Sequence, residues 1–278
     1  MRTIVITGGT DGMGAALAHH YLRAGDRVVA VGRNRAKFEA LVAKASAAGG
    51  GDTAPPAAAR AEFLAADLSS VAETRRTVGR LTERHARIDA LVLAASFVRR
   101  RRHLTPEGHE ASWALFFLSK YLLVTGVAPL LAAAARPVVV NTAVPGARPD
   151  AIDFEDPGMA TGFTFARSNA QQRRANELLG VLATGLDPDL AYVTWGPARL
   201  VRSGFAGEFG TAARLGVTVL GGLLGQRPAT AVRPLVRILD DPAPGRAAYR
   251  GGTRRPLAAG PREVEECARL TALVEATL

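Results

Sequence analysis

The sequence contains few cysteine, lysine and aromatic residues. Cys267 is the only cysteine among the 278 residues, which excludes a disulfide framework and a thiolate metal cluster. A chain without disulfides suits a reducing compartment, and we expect this one in the cytoplasm. Aromatic side chains make up only 6% of the residues although 48% are hydrophobic, which is typical of a buried sheet covered by helices rich in alanine and leucine.

Lysine accounts for only three of the 35 basic residues, so the net charge of +10 comes from arginine. A composition rich in arginine, alanine and glycine indicates a GC-rich coding bias more than selection for nucleic acid. The sequence also has no zinc-finger spacing, aromatic RNA-binding motif or basic heptad region. We therefore expect no nucleic-acid partner.

Long apolar runs are also scarce, and only residues 113–131 approach the length of a membrane span. Lys120 lies near the middle of this run and Pro129 near its end, and a charge at mid-span is costly in lipid. The run therefore predicts a buried helix and no membrane association. The opening stretch MRTIVITGG leads directly into a strand and a glycine turn, so we predict no signal peptide.

Apolar runs alternate with helical stretches along most of the chain. Strands are predicted at 2–7, 27–32, 61–68, 89–96, 136–144, 190–196 and, as a short last strand, 247–252. The later helices are predicted from 106 to about 134, at 165–186, within 198–240 and at 261–278. Strands that alternate with helices pair in parallel through right-handed crossovers. The sequence thus predicts the α/β class, with a doubly wound parallel sheet in a single domain covering residues 1–278.

The clearest motif is the glycine-rich stretch TGGTDGMG, which places Gly8, Gly12 and Gly14 between the first strand and the first helix. Glycine permits a tight turn there, a close approach of the backbone to a pyrophosphate, and close packing of the helix on the strand. The free N–H groups and the positive dipole end of the helix then face the phosphates. The motif therefore predicts a dinucleotide site.

The end of the second predicted strand decides which dinucleotide is preferred. An acidic residue there would hold the ribose hydroxyls of NAD(H), but this sequence has Gly32, Arg33 and Asn34. A carboxylate would repel a 2′-phosphate, whereas a guanidinium can bind it through two hydrogen bonds. We therefore predict NADP(H) as the cofactor, although Arg33 could also be an ordinary solvated residue at a helix start.

These features resemble the short-chain dehydrogenase/reductase family, as do the ADL at 66–68 and the DALVLAAS strand at 89–96. The stretches at 104–125 and 174–180 are similar to its retinol-dehydrogenase-like branch, and the resemblance covers residues 2 to about 200. It implies a Rossmann fold, a flexible lid over the substrate at about 198–228, and a contribution of the segments after the third and fourth strands to the cofactor site. The full predicted cofactor site is Gly8, Gly9, Thr10, Asp11, Gly12, Met13, Gly14, Arg33, Asn34, Asp67, Leu68, Ala94, Ala95, Ser96 and Pro197.

The same resemblance implies a changed catalytic centre. Where the family has its tyrosine and lysine this sequence has Asn169 and Arg173, and Val144 and Phe116 stand at the serine and asparagine positions. A positioned acid or base accelerates a reaction by roughly 10²- to 10⁴-fold, and asparagine cannot supply the proton. Arg173 stays charged and could still grip the nicotinamide ribose or an anionic substrate. Thr142 could replace the serine, although a packed strand residue is the simpler interpretation.

Other polar residues of the sequence have simple structural interpretations beside functional ones. His103 and His109 could act as acids, but surface histidines on a loop or a helix start are the simpler interpretation. The four arginines at 99–102 could recruit an acidic substrate, but they are typical of a solvated turn. Tyr121 and Tyr192 are predicted to be core residues.

Three functions remain open at this point. The first is an atypical NADP(H)-dependent reductase that acts on a bulky apolar substrate, as the glycine-rich apolar tail after residue 203 suggests. The second is a non-redox descendant that keeps the dinucleotide and catalyses a cyclisation, isomerisation or dehydration. The third is a non-catalytic protein that binds NADP(H). For all three we expect a small-molecule ligand and, from the family's subunit contacts, a homodimer or homotetramer.

Overall fold

The computed structural model describes residues 1–47, 55–202, 207–208 and 225–278. Its sheet has eight strands in the order β3-β2-β1-β4-β5-β6-β7-β8, all parallel except β8, which runs antiparallel to β7. The strands are β1 (Thr3–Thr7), β2 (Arg27–Gly32), β3 (Ala61–Ala65), β4 (Ala90–Leu93), β5 (Val138–Asn141), β6 (Ala191–Gly196), β7 (Gly245–Arg250) and β8 (Thr253–Arg255). The predicted α/β class and the single doubly wound domain are confirmed.

Helices cover both faces of the sheet. In chain order they are α1 (Gly12–Arg23), α2 (Arg35–Ala47), α3 (Ala57–Arg60), α4 (Val71–Arg84), α5 (Ala111–Trp113), α6 (Ser119–Gly126), α7 (Ala128–Ala132), α8 (Phe165–Leu186), α9 (Pro228–Ala231), α10 (Arg233–Asp240) and α11 (Pro261–Thr277). Alternate residues of each strand enter opposite cores, as the twofold periodicity of a strand requires. Val5 packs towards α4, α6, α8 and α11, while Ile4 and Ile6 pack towards α1 and α10.

The long helix predicted from 106 begins later and is interrupted. It starts at Ala111 because the Glu110 carboxylate accepts hydrogen bonds from the backbone N–H groups of Ser112 at 2.9 Å and Trp113 at 2.7 Å. A π-helical segment, Ala114–Leu118, joins α5 to α6. The helix ends at Gly126, and Pro129 lies in the first turn of the separate helix α7, where its missing N–H costs nothing.

Several other boundaries also differ from the sequence-based expectation. The third strand ends at Ala65 instead of residue 68, and the segment before it contains the short helix α3. Strand β8 was not predicted, because its three residues are all exposed and give no apolar alternation. The predicted lid at about 198–228 lies largely outside the described residues; at its described ends, Val201 and Gln226 form an isolated parallel bridge.

The apolar run at 113–131 forms a buried layer, as predicted. Trp113, Phe117, Leu118 and Leu123 are all buried in the core between the sheet and α8. Among the helices in the described part of the chain, none combines the length and the apolar character that crossing a membrane demands.

Candidate functional site

The turn between β1 and α1 is built so that backbone, and no side chain, occupies its inner side. Gly8 has a φ of +66°, a backbone conformation that residues other than glycine rarely adopt. A Cβ on Gly14 would lie 2.3 Å from the Gly8 carbonyl oxygen. Gly9 lies behind the turn against Ala30. Asp11 caps α1 by accepting a hydrogen bond from the N–H of Gly12 at 2.7 Å.

A cavity of about 560 Å³ opens in front of this turn, at the carboxyl ends of β1, β2 and β4. Except for Gly9, every residue of the predicted cofactor site lines it, from the glycine turn to Pro197 after β6. The sequence-based prediction missed the other lining residues, which are Val31, Gly32, Lys37, Ala66, Phe97, Val98, Arg99, Leu115, Leu200 and Val201. Most of these residues are apolar or are neighbours in the sequence of a residue that was predicted.

One end of this cavity is basic. The Arg33 guanidinium lies over the Phe97 ring, 5.4 Å from its centroid, and 3.9 Å from a carboxylate oxygen of Asp67. The Asn34 side chain caps α2 by accepting a hydrogen bond from the Lys37 N–H at 2.9 Å. The Lys37 ammonium contacts Asp11 at 2.5 Å. Arg33 is therefore held at the cavity by neighbours on two sides and differs from a freely solvated residue at a helix start.

The carboxylate of Asp67 is stabilised in its charged form. Burial would raise the pKa of Asp67, but hydrogen bonds from the N–H and hydroxyl of Ser69, together with Arg33 and Arg99, hold that pKa below its usual range. Asp67 is consequently an anion at neutral pH, hydrogen-bonded to Ser69 and stabilised by the charges of the two guanidinium groups.

A second pocket of about 280 Å³ adjoins the first, and both are lined by Ala95, Ser96, Val98 and Arg99. It brings together Phe116, Val144, Asn169 and Arg173, the residues that stand where the resemblance implies catalytic side chains. The pocket is lined further by Ser112, Phe116, Lys120, Thr142, Ala143, Val144, Phe165, Ser168, Asn169, Gln172, Arg173 and Asn176. The chain thus has a second, smaller cavity beside the larger cleft.

The three residues predicted as catalytic candidates have different contacts in this pocket. The Thr142 hydroxyl donates a hydrogen bond to the carbonyl of Leu93 at 3.0 Å, so this donor is not available to a ligand. Arg173 donates from Nε to the Val144 carbonyl at 2.6 Å and from Nη2 to the Pro145 carbonyl at 2.7 Å. Asn169 is exposed at the mouth of the pocket. Arg173 therefore braces the loop after β5, while Asn169 is free to meet a ligand.

The sequence-based prediction missed Lys120 as a pocket residue. Its side chain is buried, and its ammonium donates a hydrogen bond to the Asn141 side-chain oxygen at 2.8 Å. Burial lowers the pKa of Lys120 to about 7. The available sequence signal was a single lysine within an apolar run, which we used only as evidence against a membrane span.

The run of four arginines does not form one patch. Arg99 lines both cavities, and desolvation lowers its pKa, although Asp67, Glu110 and Glu208 oppose that effect. Arg102 donates a hydrogen bond from Nε to the Gly158 carbonyl at 2.9 Å. The expectation of a solvated turn is therefore wrong for Arg99, because this residue is partly buried in the loop after β4 and lines both cavities.

The remaining candidates from the sequence lie elsewhere. His103 contacts Glu208 at 2.7 Å, and neither His103 nor His109 is among the residues that line the two cavities. Tyr121 and Tyr192 are buried, as predicted.

The chain is similar to named oxidoreductases. Oxidoreductase calI from Penicillium decumbens is 31% identical over 206 residues, which cover 68% of this chain and 58% of that relative. The "Putative daunorubicin C-13 ketoreductase DnrU" from Streptomyces sp. (strain C5) is 29% identical over 199 residues, which cover 72% of this chain and 66% of that relative. The chain thus spans less than two thirds of the length of either protein.

A solved short-chain dehydrogenase from Sphingobium yanoikuyae, in complex with NADPH, has a similar fold. The TM-score is 0.63 at 21% identity, with 99% of this chain and 96% of that chain covered. A family model described as short chain dehydrogenase matches residues 2–151, which is more than half of the 278 residues. The protein therefore belongs to the short-chain dehydrogenase family.

Proposed function

We propose that the protein is an NADP(H)-dependent oxidoreductase that interconverts a carbonyl and an alcohol on a bulky apolar substrate of the secondary-metabolite kind. The observation that carries this proposal is the shared wall of the two cavities, formed by Ala95, Ser96, Val98 and Arg99. Hydride transfer needs two ligands side by side, and this arrangement provides for both. A relative named as a daunorubicin ketoreductase supports the substrate class.

The larger cleft has room for a dinucleotide in front of the glycine turn, whose backbone packs so closely on the start of α1 that only glycine fits at position 14. The N–H groups at the start of α1 would hold the pyrophosphate. Arg33, Asn34 and Lys37 would hold the 2′-phosphate, and Asp67 would lie beside the adenosine. The bound cofactor supplies the hydride, and these residues supply its orientation.

The smaller pocket would receive the carbonyl compound. Val98, Phe116, Val144 and Phe165 give it apolar walls, while Arg99, Lys120 and Arg173 make it electropositive. Its lining contains no carboxylate within the described part of the chain. Such a pocket would favour a polarised carbonyl oxygen, or an acidic phenol, beside an apolar ring system.

Arg33→Asp tests the choice of cofactor. We expect NADPH to bind about 10- to 100-fold more weakly, because one charge-assisted contact to the 2′-phosphate is lost and a repulsive charge is added. NADH binding should be unchanged or stronger. Fluorescence titration of each reduced cofactor measures both affinities.

Arg35→Asp is the matched control for this substitution. Arg35 lies two residues further on with its guanidinium over Phe63, and it does not line the cleft. We expect Arg35→Asp to retain the preference of the natural protein. Equal cofactor preference in the Arg33→Asp variant and the natural protein would refute the role of Arg33.

Turnover is tested by following the absorbance of NADPH in the presence of phenanthrenequinone and aromatic polyketide ketones. Oxidation of NADPH in proportion to alcohol formed is the expected result. Binding of neither NADPH nor NADH would eliminate the proposal at the first step.

A non-redox function is a second candidate. Asn169, Phe116 and Val144 line the pocket at the positions where the resemblance implies proton-handling side chains. These residues favour a descendant that keeps the dinucleotide as a structural part and catalyses a cyclisation, isomerisation or dehydration. Conversion of a substrate without oxidation of NADPH would select this candidate, and binding without any conversion would select a non-catalytic NADP(H)-binding protein.

A further inference from the structure

Lys120 is a buried cation that faces the smaller pocket. Its side chain is 4% exposed, on helix α6, and it forms part of the pocket lining together with Phe116 from the preceding turn. In the described part of the chain, its ammonium has one hydrogen-bond acceptor, the Asn141 side-chain oxygen, and no carboxylate partner. An ammonium can donate three hydrogen bonds, so two donors remain for a ligand.

Asn141 connects this lysine to a buried polar network. Its side-chain nitrogen donates to the Asn176 side-chain oxygen at 2.5 Å and to the Tyr192 hydroxyl at 2.8 Å. The Tyr192 hydroxyl in turn donates to the Asn176 backbone carbonyl at 2.9 Å. The amide nitrogen of Asn141 therefore has an acceptor for each of its two N–H groups. This fixes the orientation of the amide, so its oxygen stays turned towards Lys120 and positions the ammonium.

The charged groups that face the pocket of Lys120 include two arginines and, among the described residues, no carboxylate. Arg99 and Arg173 face the same pocket from the loop after β4 and from α8. Tyr192 belongs to the network itself, and burial raises its pKa. Glu177, whose charge acts on Tyr192, accepts the N–H groups of Gly146 and Ala147. No anion of the described residues therefore stabilises the ammonium directly, and burial brings its pKa to about 7.

We propose that Lys120 is the residue that exchanges a proton with the carbonyl oxygen of the substrate, in the place where the family relies on a tyrosine. This assignment rests on the proposed function. It places the acid on α6 instead of α8, the helix that carries Asn169.

The reaction balances with this one group. In reduction, the carbonyl carbon accepts a hydride from the reduced nicotinamide, and the electrons of the C=O π bond move to the oxygen. The oxygen takes a proton from the Lys120 ammonium, so one N–H bond breaks and one O–H bond forms. The neutral amine then regains a proton from water. Alcohol oxidation is the reverse and begins from the neutral amine.

The proton equilibrium is tested without cofactor or substrate. The chain has only three lysines, so NMR of protein labelled with isotopic lysine gives three side-chain signals. The signal that is missing from the Lys120→Arg variant is that of Lys120. We expect the Lys120 signal to shift with pH around neutrality. A Lys120 signal that does not change across the neutral range would overturn the proposal.

Access is tested with formaldehyde as the smallest carbonyl probe. Reductive methylation of the folded protein, followed by peptide mass spectrometry, should modify Lys120 at neutral pH. Lys37 and Lys44 are exposed internal standards for the reagent. Complete protection of Lys120 while both standards react would show that a carbonyl group cannot reach it, and would overturn the proposal.

Activity gives the third readout. With a ketone that the natural protein reduces, Lys120→Met should lower kcat by about 10²- to 10⁴-fold and leave the NADPH affinity unchanged. The natural rate of reduction should fall as pH rises through the pKa of Lys120, because the acid form is consumed. Lys120→His should recover part of the rate. Thr125→Ala, on the same helix but outside the pocket, should match the natural protein.

The failures of the two proposals are distinguishable. A natural protein that binds NADPH and reduces no ketone would defeat the proposed function, while the titration and the methylation would still decide whether Lys120 presents a neutral, reachable amine. A natural protein that reduces a ketone, with a Lys120→Met variant of equal kcat, would defeat the assignment of Lys120 alone.

Discussion

Gly14→Ala should weaken NADPH binding by about 100-fold. The added Cβ would lie 2.3 Å from the Gly8 oxygen and 2.8 Å from the Gly8 carbon, and both are backbone atoms that cannot rotate away. The turn or the start of α1 must therefore shift. If two N–H contacts to the pyrophosphate are lost, at roughly 1.5 kcal/mol each, the affinity falls by about two orders of magnitude.

The same substitution should also lower the free energy of unfolding by about 1–3 kcal/mol, as overpacking usually does. Fluorescence titration of NADPH and thermal unfolding of the same sample separate the two effects. Gly79→Ala is the control, because nothing lies within 4 Å of the added Cβ in the middle of α4. This variant should bind NADPH like the natural protein, and its free energy of unfolding should rise by about 0.5–1 kcal/mol because alanine has the higher helix propensity.

An affinity of the Gly14→Ala variant within about twofold of the natural one, a difference of only about 0.4 kcal/mol, would contradict this prediction. The glycine turn would then not be the place where the backbone meets the phosphates. Loss of binding in both the Gly14→Ala and the Gly79→Ala variants would indicate a general effect of the substitutions instead of a local one.

The larger cleft, which we propose as the cofactor site, could be predicted from the sequence because its main parts are local in the chain. The glycine turn lies within one strand–turn–helix unit, and Arg33 follows the next strand directly. In a parallel sheet the carboxyl ends of adjacent strands share one edge, so the segments after β1, β2 and β4 must meet. Fourteen of the fifteen predicted cofactor residues line one cavity for this reason.

The second pocket could be predicted only in part. Asn169 and Arg173 were found through the resemblance, whereas Lys120 depends on contacts that the sequence does not contain. Its partner Asn141 is 21 residues away on a different element, and Asn141 is fixed by Asn176, 35 residues further on. Only the three-dimensional arrangement distinguishes a pocket lysine from a lysine whose stem crosses the core to reach solvent.

The predicted start of the long helix was wrong for a related reason. The sequence pattern suggested a start at 106, but a side-chain cap decides where backbone N–H groups are satisfied, and Glu110 supplies it. The exposed strand β8 is stabilised by its pairing with β7 and has no apolar signature of its own. Both features depend on specific hydrogen bonds instead of on a periodic pattern.

Arg174→Met should lower the free energy of unfolding by about 3–5 kcal/mol. The Arg174 side chain is only 2% exposed on α8, and it binds Glu263 at 3.3 Å and Glu266 at close range on α11. It also lies 3.8 Å from Glu177. Burial would lower the pKa of Arg174, but its hydrogen bonds and charge contacts with Glu266, Glu263 and Glu177 raise it. Removal of the guanidinium leaves Glu263 buried without a counter-ion among the described residues and leaves Glu266 with only the exposed Arg262, which is the costly way to break an ion pair.

Denaturant unfolding measures this effect, and Arg262→Met is the matched control. Arg262 contacts the same Glu266 at 3.3 Å, but its own side chain is 63% exposed. An exposed pair contributes about 0–1 kcal/mol, so Arg262→Met should be close to the natural protein. Equal losses in the two variants would show that the burial of Arg174 does not matter.

The triple variant Arg174→Met, Glu263→Gln and Glu266→Gln separates pairing from packing. If the loss in Arg174→Met comes from unpaired carboxylates, neutralising two of them should restore most of the stability, because an ion pair replaced as a whole is often neutral in cost. If the loss comes from a cavity left by the longer arginine, the triple variant should remain as unstable as the single one. Glu177, which also holds the backbone of Gly146 and Ala147 beside the smaller pocket, is left intact in every variant, so a change in that loop would trace to Arg174 itself.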